Sequence, residues 1–99
     1  MEHVRRHIPN RLRKHRKMMG YTQKQVALLL GVNATDRISL WEKGATFPST
    51  INLIKLSLIY HVFPTDLYYD LMKHLRHELE ERSRGLALPN NDFLNEDTP

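Results

Sequence analysis

The chain has no cysteine, only four glycines among 99 residues, and no purely apolar run longer than Val26–Leu30. Without cysteine there is neither a disulfide framework nor a thiolate zinc site, an economy compatible with a reducing compartment. The short apolar run is far below the length of a membrane span or a signal-peptide core, so the expectation is a soluble, cytoplasmic protein with no membrane partner. Acidic residues are scarce where basic ones are dense. Residues 1–65 carry eleven Lys/Arg against three Asp/Glu, whereas residues 66–99 carry four against eight, within a formal net charge of +4. No glycine-rich phosphate loop, no nucleophile beside a base and no paired carboxylates are found, so neither catalysis nor a cofactor is expected. His3 with His7, and His74 with His77, have helical spacing but no third ligand nearby, so no metal site is expected either.

What is present is helical periodicity. Ninety-nine residues make one small domain with a modest core. Pro9 suits the first position of a helix, which predicts a first helix from Pro9 to Met19 ending at Gly20, with Ile8, Leu12 and Arg16 facing inward. Thr22 followed by Gln25 is a capping-box pattern and predicts a second helix from Gln23 to Leu30, closed by Gly31. A third helix follows, capped by Asn33 or Thr35, in which Ile38 and Trp41 share the buried face. Asp36, Arg37, Ser39, Leu40 and Lys43 then point elsewhere. Ser49 or Thr50 caps a fourth helix reaching about His61. At about 100° per residue, Leu53, Leu56 and Tyr60 share one of its faces, and Ile51, Ile54 and Leu58 a nearly opposite one. A fifth helix opens at Pro64 and carries Leu67, Tyr68, Leu71, Met72, Leu75 and Leu79 as a stripe to about Ser83, where Gly85 stops it.

Arg16, Gln23, Ala27, Gly31, Ile38-Ser39, Glu42, Gly44 and Pro48-Ser49 occur in an order that resembles the Cro and lambda-repressor-like (XRE-type) DNA-binding domains, over roughly residues 8–71. One departure is visible. Gly31 to Ile38 spans one residue more than the family usually has, which places an insertion in the turn around Asn33 to Thr35. The resemblance implies an all-α, five-helix lambda-repressor-like domain, here with an extended C-terminal helix. It implies double-stranded DNA as partner, a helix-turn-helix in the major groove, and a buried ion pair between Arg16 and Glu42. It also implies that Gln23 holds a phosphate from a helix N-terminus, a place that favours anions.

The residues themselves supply the rest of the candidate interface. Thr35, Asp36, Arg37, Ser39 and Leu40 are candidates for base-edge or adjacent contacts, with Lys43, Arg11, Arg13 and Lys14 as candidate phosphate partners. Arg5 and Arg6 lie in a basic arm, residues 1–8, before the helical domain at 9–84 and an acidic tail at 85–99 that reads as disordered. The second face of helix four and the stripe of helix five leave apolar surface that the family core does not use. A homodimer through Ile51, Ile54, Leu58, Leu71, Leu75 and Leu79 is expected, with intrachain packing of helix five over helix four as the competing account. The function expected is a sequence-specific transcriptional regulator. The alternative is an antitoxin or assembly adaptor whose C-terminal helix and tail bind a partner protein.

Overall fold

A computed structural model describes residues 7–32 and 35–88. These form six helices, and no strand occurs among the described residues: α1 Leu12–Met18, α2 Gln23–Leu30, α3 Thr35–Glu42, α4 Thr50–Tyr60, α5 Pro64–Leu67 and α6 Tyr69–Gly85. Leu12 of α1, Val26 and Leu30 of α2, Ile38 and Trp41 of α3, Leu56 and Tyr60 of α4, and Leu67 of α5 meet in one core. Two turns of amphipathic helix bury too little to be stable alone, so α2 and α3 depend on this shared core for their geometry.

The second helix forms where its caps place it. The Thr22 side chain accepts from the Gln25 backbone N–H at 3.1 Å, and the Gln25 side chain accepts from the Thr22 N–H at 2.9 Å. At its other end Gly31, at φ 79°, takes the left-handed conformation, and the Val32 N–H reaches back to the Ala27 carbonyl. Thr22→Ala is expected to lower stability by about 1 kcal/mol, the usual cost of a lost N-cap. Chemical denaturation measures it, and an unchanged midpoint would mean that the capping box contributes nothing.

Three expectations are corrected. The first helix begins at Leu12 rather than Pro9: Arg11 is its N-cap, Asn10 Oδ1 accepts from the Leu12 N–H, and residues 7–11 run outside the helix. The single fifth helix is two helices, broken at Tyr68 (φ −125°, ψ 37°). There the Leu67 carbonyl accepts the Arg11 N–H at 2.8 Å, a bond that competes with the helical ladder, and the Tyr68 ring is buried against Phe47 at 5.3 Å. The terminal left-handed residue of α6 is Ala87 at φ 55° rather than Gly85, which stays helical. The arm residues Arg5 and Arg6, and the acidic tail from Pro89 onward, lie outside the described residues.

Leu71 packs against the core, but the fold leaves the rest of the surplus apolar surface open. Ile51, Ile54, Leu58, Leu75 and Leu79 are all exposed. A groove of about 400 Å³ runs between α6 and the rest of the domain, lined by Phe47, Leu53, Tyr68, Leu71, Leu75 and Leu79 among others. Ile51, Ile54 and Leu58 do not line it.

Candidate nucleic-acid interface

The buried face of α3 fixes what its other face can do. Ile38 and Trp41 are 1 % and 5 % exposed, which turns Thr35, Asp36, Arg37, Leu40 and Lys43 to solvent, with Ser39 half-buried beside them. Four side chains of different chemistry thus lie on the two accessible turns of α3, with Lys43 in the turn just beyond it. Such a surface can meet base edges by hydrogen bonds and thymine methyl groups by contact.

Beside this face a cleft of about 290 Å³ gathers Arg13 and Arg16 of α1, Gln23 of α2, and Ser39, Glu42 and Lys43 at the end of α3. Its floor is an ion pair. Arg16 Nε donates to Glu42 Oε2 at 2.6 Å and Arg16 Nη2 to Glu42 Oε1 at 3.1 Å, with the two side chains 10 % and 5 % exposed. Arg16 Nη1 donates to the Tyr21 carbonyl, and Gln23 Nε2 donates to Glu42 Oε1 at 3.0 Å. Hydrogen bonding to Glu42 raises the Arg16 pKa against the opposing effect of burial. The neighbouring Tyr60 phenol is pushed upward by burial and by the Glu42 charge, so it stays protonated at neutral pH. One carboxylate therefore ties α1, the start of α2 and the end of α3 into a single unit.

The arrangement sets Gln23 at the first position of α2, where helical N–H groups lack ladder partners and the dipole favours an anion. Arg13 and Lys43 stand exposed on the cleft wall. A phosphate here would meet cations from two helices and the N-terminus of a third.

Of the proposed phosphate partners, the structure brings together Arg13, Gln23 and Lys43. Lys14 is exposed on α1 but does not line the cleft. Arg11 does not line the cleft and turns instead to the start of α6. Its guanidinium makes two bonds to Asp70, Nε to Oδ2 at 2.9 Å and Nη2 to Oδ1 at 3.0 Å, and it stacks over the Tyr69 ring at 4.7 Å. Hydrogen bonding to Arg11 holds the Asp70 carboxyl below its ordinary value, and Asp70 raises the Arg11 pKa in return. A depressed carboxyl supports the folded state above its unfolded pKa, and that support is lost as pH falls through the folded value. The pair is solvent-facing, which limits its worth. It escaped sequence reasoning because its partners are 59 residues apart. Lys17, part of the same basic run, is exposed on α1 one turn on from Arg13 and, like Lys14, does not line the cleft.

Among the described residues no cluster of His, Asp or Glu could hold a metal ion, and no helix is long and apolar enough to cross a membrane. The helix-turn-helix family model HTH_3 matches residues 12–67, more than half of the chain. The chain belongs to this XRE and lambda-repressor-like helix-turn-helix family and is a DNA-binding protein of that general kind. Comparison with curated proteins and with solved structures gives no match.

Proposed function

We propose that the chain is a sequence-specific transcriptional regulator that acts in the cytoplasm as a homodimer and has no catalytic activity. The observation that carries this reading is the juxtaposition of the exposed α3 face with the cleft of Arg13, Gln23 and Lys43. Basic groups on the cleft wall and on α1 hold the backbone, while α3 samples the major groove. In that pose Arg37 reads guanine bidentately and Leu40 packs on a thymine methyl. Thr35 and Ser39 bond base or phosphate, and Asp36 accepts from cytosine or orients Arg37.

The dimer is proposed to form through the groove of α6, with a second copy as its occupant. Leu71, Leu75 and Leu79 are spaced symmetrically about Leu75, so a two-fold axis at Leu75 sets Leu75 against its own copy and Leu71 against Leu79 across the interface. Burial of these side chains in both copies would remove the apolar groove beside α6 from solvent. Selection of bound duplexes from a random library tests both parts. The expected result is a motif of two half-sites about 34 Å apart. Leu75→Glu is expected to give a folded monomer that selects one half-site. Selection of no motif by the wild type would contradict sequence reading, and a wild type monomeric at high micromolar concentration on and off DNA would contradict the dimer.

A second reading has one observation in its favour. Ile51, Ile54 and Leu58 form an exposed apolar face on α4 that the α6 groove does not include, so a dimer through the groove leaves it bare. An antitoxin or assembly adaptor would use such a face, together with the C-terminal helix, for a protein partner. Capture of one defined protein by the wild type, abolished by Ile54→Glu but not by Leu75→Glu, would favour that reading.

A further inference from the structure

Helix α3 is eight residues long, and its last carbonyls must find donors outside its own ladder. Three are met by the turn that follows, the Ser39 carbonyl by the Lys43 N–H at 2.9 Å. Gly44 is left-handed at φ 76°, the Ala45 N–H bonds the Leu40 carbonyl at 2.9 Å, and the Gly44 N–H bonds the Trp41 carbonyl at 3.0 Å. The next three carbonyls are all taken by a segment that precedes α1. Asn10 Nδ2 donates to the Glu42 carbonyl at 3.2 Å, and the Ile8 N–H donates to the Gly44 carbonyl at 2.8 Å. His7 Nδ1 lies 2.8 Å from the Lys43 carbonyl and donates to it as the Nδ1–H tautomer.

We propose that His7–Asn10 is a positioning strap for the DNA-reading helix, with Asn10 as its key residue. The inference rests on the reading of α3 as the DNA-facing helix, and the strap lies wholly before the residues that the family model spans. Asn10 joins both sides of the site. Its Oδ1 accepts from the Leu12 N–H at the start of α1, while its Nδ2 holds the Ile8 and Glu42 carbonyls at 3.0 and 3.2 Å. Ile8 is packed against the core, so the strap is anchored as well as bonded. Glycine at 44 is required for the fit: a Cβ there would stand 2.4 Å from the Ile8 carbonyl oxygen and 2.7 Å from the Ile8 nitrogen, both backbone atoms that cannot swing aside. The Arg16–Glu42 pair holds the side-chain face of α3's last turn, and the strap holds its backbone. Together they fix Ser39 and Lys43 relative to Arg13 across the cleft. A helix this short, freed at its C-terminus, would lose the aim of its reading side chains before it lost its core contacts.

Asn10→Ser separates aim from folding. Serine keeps an oxygen that can accept from the Leu12 N–H but has no amide to reach the Glu42 and Ile8 carbonyls. The control is Ser49→Ala, which removes the α4 cap, a bond from the Asn52 N–H at 3.2 Å remote from the strap. Two measurements are made well below melting. In hydrogen exchange without DNA, Asn10→Ser is expected to speed the Gly44 and Ala45 amides about tenfold while leaving the α2 amides unchanged. In binding, its ratio of affinities for the selected duplex over a scrambled one is expected to fall about tenfold, as for a lost base contact, whereas Ser49→Ala keeps the wild-type ratio. Gly44→Ala is expected to reproduce both effects. Unchanged Gly44 and Ala45 exchange in Asn10→Ser, or a wild-type ratio in that variant, would overturn the strap. A wild type that does not distinguish the two duplexes would instead overturn sequence reading by α3, and the exchange data would still decide the strap.

Discussion

Glu42→Ala is expected to lose about 3–5 kcal/mol of unfolding free energy, the largest stability effect of any single substitution at the site. The carboxylate accepts three side-chain bonds, two from Arg16 and one from Gln23, at a position almost without solvent. Its removal leaves the Arg16 guanidinium buried with the Tyr21 carbonyl as its remaining hydrogen-bond acceptor. For a domain of this size each kcal/mol moves the melting temperature by about 4–8 °C, so a thermal scan should show the transition falling by well over ten degrees. Glu42→Gln keeps the volume and one acceptor and should fall between the variant and the wild type. A loss below about 1 kcal/mol would mean that Arg16 finds water readily, as exposed pairs do.

The second large effect concerns affinity. Arg13, Lys17 and Lys43 are exposed cations on or beside the cleft, and their joint replacement by alanine is expected to weaken binding to all duplexes alike. Each lost phosphate contact removes roughly 0.9 from the slope of log affinity against log salt, so the triple variant should lose roughly 2.7. Between 50 and 200 mM salt that difference alone changes relative affinity by a factor of about forty. Titrations at four salt concentrations give the slope. A slope equal to that of the wild type would place these cations away from the phosphates.

The parts of this fold legible in the sequence are those whose causes are local. Thr22, Gln25 and Gly31 state the limits of α2 within ten residues, and the spacing of Ile38 and Trp41 states the buried face of α3. Long-range bonds wrote the rest. Nothing near Tyr68 in the sequence announces a break, because the bond made there is the Arg11 N–H reaching the Leu67 carbonyl from far along the chain. His61 closes α4 in the left-handed conformation at φ 58°, where a glycine would have been the local signal. At the site, the resemblance pointed to Arg16 and Glu42, and the structure adds that Gln23 joins them. Arg11 looked equivalent to Arg13 in a run of basic residues, yet two positions along a helix turn a side chain to another side, and Asp70 was waiting there. Both apolar stripes could be read from periodicity. That they lie on separate surfaces needed the path of the chain through α5.

Titration of the isotope-labelled chain with its selected duplex, followed by amide chemical shifts, most directly tests the claim that this protein reads DNA with α3 beside the α1–α2 cleft. The account predicts saturable, salt-sensitive shifts concentrated at Arg13, Gln23 and Thr35–Lys43, with the outer face of α4 at Ile51, Ile54 and Leu58 unmoved. Shifts centred on α4 or α6, with α3 unaffected at saturation, would contradict it.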